Sequence, residues 1–321
     1  MLKYMVAGLA LLFAFPALAD DHEEPPLRVE VLRTSAGSLH VNSALIMGQR
    51  DAVLVDPPFT LADAHRVAAM VLDCGKNLTH IFVTHDHPDH FFAMEVLEEA
   101  FPEAEIVAHE TVVADIWRSL PFKVERWSPM LAENGPAYPS APHALSSDTI
   151  MLEGHELRVL GPMQGDHRNS TALWVPEIRA LLPGDLVFNE VHLWLGEHDL
   201  DAVAAWRASM DALEELQPEI VVAGHARPGL PDDISGIAFT YRYLDAWPGL
   251  VADAADSDDL QAKVRAAFRS AATKSVGTAI PWTRYSAVST PMSAAVTARP
   301  SVTSPSATST SSCQGRAAAR R

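Results

Sequence analysis

The segment VTHDHPDHFFAMEVLEEAF, residues Val83 to Phe101, contains three histidines and two aspartates within six consecutive positions, 85–90. A metal site, a solvated turn and a proton relay all use these residue types, and Asp89 is also a suitable N-cap for the helix predicted to follow. The apolar run Ile81–Val83 predicts a buried strand that ends in the core. Imidazoles placed there without partners would be costly. The pattern therefore favours a metal site.

The spacing within this cluster allows its side chains to converge. His85 and His87 alternate, so both can point to the same side of an extended segment. Asp89 and His90 open a helix, where the backbone turns their side chains back toward the same point, and Pro88 suits the entry to that turn. Imidazole and carboxylate groups without thiolate suit zinc, iron or manganese.

Four residues this close together can serve two ions but cannot complete two coordination shells, so further ligands are expected at other strand ends. Three polar residues occur in that context: His167 in GPMQGDHRNS, Asp185 after the strand in RALLPGD, and His225 after the strand in EIVVAGH. Each has a glycine nearby, which permits close backbone approach. For any one of them an ordinary polar loop residue is the simpler interpretation, but their recurrence in one context indicates a shared site.

The motif HDHPDH at 85–90, combined with these three later residues, resembles the metallo-β-lactamase superfamily over about residues 28–250. The resemblance implies an α/β fold, a four-layer αββα sandwich with metals at one edge between the two sheets. It implies that the first metal is bound by His85, His87 and His167. The second metal would be bound by Asp89, His90 and His225, and Asp185 would bridge the two.

The same resemblance implies a support for these ligands and a reaction. Asp56, which ends the run AVLVD, matches a family aspartate that fixes the tautomer and orientation of a ligand imidazole without binding metal. Two zinc ions per chain are expected, with iron or manganese as alternatives. Such ions lower the pKa of a bridging water toward ~7 and polarise a carbonyl. Asp89 is the expected catalytic residue, accepting or shuttling a proton beside its ligand role.

The implied activity is hydrolysis of an ester, lactone, thioester or amide by a metal-bridged hydroxide, with a small molecule as substrate. Asn189 and His192, in FNEVHLW just beyond Asp185, are candidates for contacting the polar group of the substrate. A capped turn with an incidental histidine is the alternative interpretation of this segment.

Departures from the family pattern narrow the choice among branches of the superfamily. Asp185 stands where one subclass of β-lactamases has cysteine, and in this it resembles the glyoxalase II and lactonase branches. Glyoxalase II enzymes bind glutathione through basic residues, but Arg227 and Arg242 form no convincing cluster. His87 stands where flavodiiron oxygen reductases have glutamate. Persulfide dioxygenases, which use one iron, share the histidine motif, so an iron oxidoreductase is an alternative, as is a β-lactam hydrolase.

The elements that must position these residues follow from local patterns. LRVEVLR, VNSALIMG and DAVLVD predict an antiparallel meander. TLADAHRVAAMVLDCG predicts a helix that Thr60 caps and Gly75 ends, and LDAVAAWRASMDALEELQP predicts another. Further helices are predicted at 232–247 and 252–269. The Pro- and Ser-rich residues 121–148 predict a long loop over the structure. Strands thus occur in two batches, each interleaved with helices, which predicts two packed sheets with helices outside.

The chain ends and the overall charge bear on localisation and partners. Residues 1–19 resemble a secretory signal peptide, with Lys3, an apolar run shorter than the ~20 residues of a membrane span, and a small-residue cleavage site. Export, to a periplasm in particular, is therefore expected, with no stable membrane anchor after cleavage. A linker at 20–27, a metallo-hydrolase domain at 28–285 and a low-complexity, disordered tail at 286–321 follow.

The 321 residues include 41 acidic and 24 basic side chains and carry a formal net charge of −17. Such a surface repels phosphate backbones, so nucleic acid is not an expected partner.

Overall fold

The computed structural model describes residues 27–196 and 198–273. The predicted signal peptide and tail, and the linker up to residue 26, lie outside these ranges. Within them, every helix is too short or too polar to span a bilayer.

The first sheet has six strands in the order of the sequence. They are β1 (Arg28–Arg33), β2 (Asn42–Met47), β3 (Asp51–Val55), β4 (Asn77–Val83), β5 (Glu105–Ala108) and β6 (His143–Ala144). Strands β1, β2 and β3 are antiparallel neighbours, which confirms the predicted meander, while β3 to β6 run parallel. The parallel strands bring their carboxyl ends to one edge, and the HDHPDH segment follows β4 there.

The second sheet has five strands in the order β12-β10-β9-β8-β7, and two further strands, β11 and β13, pair separately. Their bounds are β7 (Thr149–Leu152), β8 (His155–Met163), β9 (Ser170–Val175), β10 (Ala180–Leu182), β11 (Phe188–Asn189), β12 (Ile220–Val221) and β13 (His225–Ala226). The long hairpins β7–β8–β9–β10 are antiparallel, and β10 pairs with β12 in parallel.

Among the described residues, six α-helices cover the outer faces of the two sheets. They are α1 (Leu61–Cys74), α2 (Met94–Ala100), α3 (Glu110–Leu131), α4 (Leu200–Glu214), α5 (Ser235–Asp253) and α6 (Ser257–Ala267). One apolar cluster joins α1, α2 and α3 to the first sheet, and a second joins α4, α5 and α6 to the other sheet. A third, including Ile46, Phe82 and Leu173, fills the space between the sheets. The predicted αββα sandwich is therefore confirmed.

Helix α1 has the boundaries that its sequence indicates. The side chain of Thr60 accepts a hydrogen bond from the backbone N–H of Asp63, and Gly75 ends the helix with a left-handed φ of 63°. Val67 and Val71 lie fully buried on the inner face, one turn apart. Capping oxygen, apolar stripe and terminal glycine together account for this element.

The prediction of a loop across 121–148 is wrong for its first part. Helix α3 continues to Leu131 through both Pro121 and Pro129. A proline inside a helix removes one hydrogen bond and crowds the preceding turn. Here the inner stripe of the helix, which includes Ile116 and Leu120, is packed into the core on the first sheet, and this burial outweighs the local cost.

The helix predicted to open at Asp89 and His90 also differs from the structure. Residues Pro88–His90 form a single 3₁₀ turn, and the α-helix starts only at Met94. The intervening aromatic residues Phe91 and Phe92 are fully buried, so the chain turns to bury them before the helix begins.

Candidate metal centre

The HDHPDH segment is held at the carboxyl edge of the first sheet by Asp56, which follows β3 in a left-handed conformation with φ of 57°. One oxygen of its buried carboxylate accepts the backbone N–H of Thr84 (2.9 Å), and the other accepts the Thr84 hydroxyl (2.9 Å) and Nδ1 of His90 (2.8 Å). A carboxylate can only accept, so His90 carries its proton on Nδ1. The Nε2 atom of His90 is therefore the nitrogen whose lone pair can bind a cation.

The same hydrogen-bond chain fixes the tautomer of His85. The Thr84 hydroxyl donates to Asp56 and lies 2.9 Å from Nδ1 of His85, so it accepts the proton of that nitrogen. Nε2 of His85 then faces the site with a lone pair. It is fully buried and has no hydrogen-bond partner among the described residues. A buried imidazole nitrogen in this state fits a metal ion.

His225 is oriented in the same way from the separate pair of strands β11 and β13. Its Nδ1 donates to the backbone carbonyl of Leu39 (2.9 Å), and its ring stacks on Phe188, with 5.5 Å between ring centroids and an interplanar angle of 12°. Strand β13 carries His225 beside β11, whose Phe188 is its register partner. The Nε2 atom is thereby directed to the centre.

Asp89, His90 and His225 form one group whose ligand atoms lie within 4.8 Å of one another. Nε2 of His225 is 3.3 Å from Oδ2 of Asp89 and 3.3 Å from Nε2 of His90. Asp185 adjoins this group, with Oδ1 3.1 Å from His90 Nε2 and Oδ2 3.2 Å from His225 Nε2. The predicted second-metal set and its predicted bridge therefore lie together.

A second group, also with ligand atoms within 4.8 Å of one another, consists of His85, His87, Asp166 and Asp185. Oδ2 of Asp166 lies 2.9 Å from Nδ1 of His87, and its Oδ1 lies 3.6 Å from Nε2 of His85. The side chain of Asp166 is fully buried. Sequence reasoning missed this residue, although it shares with His167 the glycine-flanked context that drew attention to the loop.

His167, predicted as a ligand of the first metal, lies beside this group and not within it. Its Nε2 is 4.0 Å from Oδ2 of Asp86 and 3.9 Å from Oδ2 of Asp115, and its Nδ1 accepts the backbone N–H of Asn169 at 3.2 Å. Adjacent side chains in this loop point apart, so the loop presents Asp166 to the group and turns His167 toward α3. The structure therefore does not bring His167 into this group, and its role as a ligand of the first metal stays a prediction.

Two glycines permit the close packing that the site needs. A β-carbon at Gly184, whose φ is 50°, would lie 2.3 Å from the Thr84 hydroxyl oxygen. A β-carbon at Gly224 would lie 2.1 Å from Oδ1 of Asp185. Real β-carbons do not approach other atoms so closely, so only glycine allows these loops to meet around Asp185.

Helix α3 supports the ligand loop from outside. Lys123 forms an ion pair with Asp86, the residue between His85 and His87, and both side chains are nearly inaccessible. Ser119, one turn earlier, also donates to Oδ1 of Asp86 (2.9 Å). Because Asp86 is occupied by these contacts, it holds the backbone of the motif and leaves metal binding to its neighbours.

A second contact from the same helix reaches the loop that carries Asp166. The buried carboxylate of Asp115 accepts Nδ2 of Asn169 at 2.6 Å. Helix α3 therefore links the two loops that build the group of His85, His87 and Asp166.

The electrostatics of the two buried imidazoles differ in the metal-free protein. Burial, reinforced by the neighbouring histidines, holds the pKa of His85 well below its usual range. Burial acts in the same direction on His90, but the carboxylates of Asp185 and Asp56 outweigh it and raise its pKa well above the usual range. A cation bound at Nε2 of His90 would take the place of that proton between the carboxylates.

The two predicted substrate residues are both hydrogen-bonded to α5. Nδ2 of Asn189 donates to the hydroxyl of Ser235 (3.1 Å), and Nδ1 of His192 lies 3.1 Å from the hydroxyl of Tyr243. Both Asn189 and His192 are buried. These contacts attach the segment after Asp185 to the helix, and a role of the two residues in substrate binding stays a prediction.

The donor set fits divalent cations. It combines four imidazoles with three carboxylates, contains no thiolate, and is almost fully buried, a combination that suits zinc, iron or manganese. Uncompensated, so many buried carboxylates at this distance would repel one another. The described residues thus fit the metal ions that the sequence predicts.

Comparison with known proteins agrees with this geometry. The model of the metallo-beta-lactamase superfamily matches residues 36–225. The crystal structure of DIM-1 metallo-beta-lactamase is similar with a TM-score of 0.50 at 20% identity, covering 69% of this chain and 94% of that one. The metallo-beta-lactamase from Pontibacter korlensis has a TM-score of 0.51 at 18% identity, covering 68% and 99%. Among curated protein sequences, none matches the chain.

Likeness to solved structures at such identity concerns the fold alone. The family match, however, spans more than half of the chain and includes every residue of the two donor groups. The chain belongs to the metallo-beta-lactamase superfamily.

Proposed function

We propose that the chain is a dinuclear metal-dependent hydrolase that attacks an ester, lactone, thioester or amide carbonyl of a small molecule. The observation that carries this proposal is the position of Asp185. Its carboxylate belongs to the group of His85 and His87, while its two oxygens lie 3.1 Å from His90 Nε2 and 3.2 Å from His225 Nε2. One carboxylate shared by two donor groups is suited to hold two ions side by side.

Two divalent cations bound in this way supply Lewis acidity, which activates water as a nucleophile and polarises a substrate carbonyl. The residues of the chain supply everything else. Asp185 sets the separation of the two donor groups, and the imidazoles keep their Nε2 atoms, or Nδ1 in His87, directed inward. Asp89, at the inner end of the second group, is the proposed proton acceptor at Oδ2, the atom 3.3 Å from His225 Nε2.

The proton positions around the site are held by groups that do not touch the ions. Asp56 retains the proton on Nδ1 of His90 and, through the Thr84 hydroxyl, on Nδ1 of His85. The backbone carbonyl of Leu39 does the same for His225. These partners keep the ligand imidazoles in one tautomer throughout turnover.

The test combines metal analysis with a substrate panel. Protein loaded with zinc should contain two ions per chain and hydrolyse at least one of an ester, a lactone, a thioester and a β-lactam. The variant Asp185→Asn should lose that turnover and bind both ions more weakly. Two bound ions with no turnover of any panel member would refute the hydrolase proposal and favour a binding role on this fold.

A second candidate function is an iron-dependent oxidoreductase that uses one ion. It is favoured by the group of His85, His87, Asp166 and Asp185, because imidazole and carboxylate donors without thiolate also suit iron. One iron per chain after purification, together with oxygen consumption on thiol or persulfide substrates, would support it over the hydrolase. Two ions and no oxygen consumption would exclude it.

We also propose that the protein is exported and acts on a small molecule, without nucleic acid as a partner. The support is the signal-peptide pattern of residues 1–19 and the net charge of −17. Expression in a Gram-negative host followed by osmotic shock should release a chain that begins near Asp20, as read by intact mass. A full-length chain retained in the cytoplasm would refute the export proposal.

A further inference from the structure

The geometry points to Asp166, and not His167, as the third protein ligand of the first metal ion. We infer that the resulting set of two imidazoles and two carboxylates gives this site a higher preference for manganese(II) relative to zinc than a set with three imidazoles would have. This inference rests on the proposed metal centre, but it does not depend on which reaction the centre performs.

The first step of the argument is the position of Asp166. Its oxygens lie 2.9 Å from Nδ1 of His87 and 3.6 Å from Nε2 of His85, and it shares a donor group with Asp185. The side chain is fully buried and lies against two imidazoles, those of His85 and His87. The negative charge of a carboxylate in this position is fully compensated when a cation lies among the three side chains.

The second step is the orientation of His167. Its Nδ1 accepts the backbone N–H of Asn169, so its proton lies on Nε2, which faces the carboxylates of Asp86 and Asp115 on the side of α3. In this arrangement Nδ1 is hydrogen-bonded, and Nε2 lies within 4.0 Å of two carboxylates that attract its N–H. To bind the ion, His167 would have to leave these contacts and displace Asp166 from the group. The loop is held in place against this movement by the hydrogen bond from Nδ2 of Asn169 to Oδ2 of Asp115, at 2.6 Å.

The third step is the charge of the complete donor set. With Asp166 as a ligand, the two ions share three carboxylates, namely Asp89, Asp166 and Asp185, where His167 would leave only two. Carboxylate oxygen suits manganese, whereas imidazole suits zinc, so an exchange of imidazole for carboxylate moves the preference of the first site toward manganese. The additional carboxylate also makes the net charge of the ion together with its ligands less positive.

A matched pair of variants tests the ligand assignment. Asp166→Asn and His167→Asn change adjacent residues to the same side chain. Zinc content after dialysis and zinc affinity by competition with a chromophoric chelator are measured, with circular dichroism to confirm folding. We expect Asp166→Asn to lose one of two ions or to weaken the first by at least about tenfold, and His167→Asn to keep both.

The metal preference is tested by Asp166→His. The ratio of manganese to zinc affinity at the first site should fall by at least about tenfold relative to the unmodified protein. An unchanged ratio would overturn the inference. If the variants do not fold, a crystal structure of the unmodified protein loaded with zinc decides between an Asp166 oxygen and a His167 nitrogen on the first ion.

These outcomes separate the inference from the proposed function. Two ions in the unmodified protein, with both ions kept in Asp166→Asn and one lost in His167→Asn, would overturn the inference and leave the hydrolase proposal standing. The expected metal pattern without any turnover would support the inference and refute the hydrolase proposal. An unmodified protein that binds no divalent ion would overturn both.

Discussion

Gly224 and Asp185 are in such close contact that a β-carbon on Gly224 would lie 2.1 Å from Oδ1 of Asp185. The two residues come from different loops of the second half of the chain, and Gly224 also donates its backbone N–H to the carbonyl of Gly184 at 3.0 Å. The position of the shared carboxylate therefore depends on the absence of a side chain at the residue preceding His225.

Gly224→Ala should consequently displace Asp185 and weaken metal binding at both groups. We expect at least about a tenfold loss of zinc affinity, with a destabilisation of about 1–3 kcal/mol from overpacking. Gly249→Ala on α5 is the control, since a β-carbon there meets nothing within 4 Å and alanine favours a helix. Chelator competition and urea denaturation read the two effects. Equal metal affinity in both variants would contradict the proposed close contact.

Asp56→Asn should damage the centre without removing any proposed ligand. Asparagine has one acceptor oxygen where aspartate has two, so it cannot accept the Thr84 N–H on one side and the Thr84 hydroxyl and Nδ1 of His90 on the other, and the tautomers of two ligand imidazoles are less firmly fixed. We expect a loss of about 10–100-fold in metal affinity or turnover. The exposed Asp73→Asn is the control and should be unchanged. Unaltered metal affinity in Asp56→Asn would show that the carboxylate does not orient these histidines.

Lys123→Met should destabilise the protein strongly because it leaves the Asp86 carboxylate buried without its cation. Removal of one partner of a buried ion pair costs about 3–5 kcal/mol. Arg158→Met is the control, since the side chains of Arg158 and its partner Glu156 are 54% and 53% exposed and their pair should contribute about 0–1 kcal/mol. Urea denaturation of the two variants in parallel measures the difference. Similar losses in both would contradict a special role for Lys123.

Asp63, in the first turn of α1, should make the free energy of unfolding depend on pH in the acid range. Burial alone raises the pKa of Asp63, but hydrogen bonds from Ser35 and Ser38 and the Arg66 guanidinium outweigh it and lower the pKa below the usual 3.8. A lowered folded-state pKa contributes stability above the unfolded pKa, and that stability is lost as pH falls through the folded value.

Asp63→Asn should therefore cost about 1–3 kcal/mol at pH 7. The difference from the unmodified protein should shrink as pH falls below 3.8, the ordinary pKa of the carboxyl group. Urea denaturation across pH 3–7 reads it, and the exposed Asp73→Asn again serves as the control. A difference that stays constant over this pH range would show that the charge of Asp63 is not the cause.

Removal of metal should lower the melting temperature, because the carboxylates of the centre then repel one another in a buried space. Zinc returned at about 100 times its dissociation constant should stabilise the fold by about 2.7 kcal/mol, or about 5–10 °C. His87→Ala should lose a large part of this zinc-dependent shift. A full shift in His87→Ala would show that zinc binds elsewhere, and no shift in the unmodified protein would contradict a metal centre in this place.

Much of the fold and half of the centre could be predicted from local sequence. The ends of α1 follow from Thr60 and Gly75, whose capping geometry depends on residues within the same turn. The HDHPDH segment is equally local, because a short span of backbone places its four candidate ligands after β4. The path of α3 could not be predicted in this way, since its prolines argue against a helix and only packing on the first sheet overrides them.

What the sequence by itself determined is the chemistry of the centre, since residue types and spacing at strand ends indicate imidazole, carboxylate and glycine around divalent ions. What only the tertiary structure decided is which neighbouring side chain faces inward. Asp166 and His167 are adjacent and both are plausible ligands by type. The choice between them follows from contacts with His87 on one side and with Asp115 on α3 on the other. Those partners are far away in the sequence, so no local pattern encodes the choice.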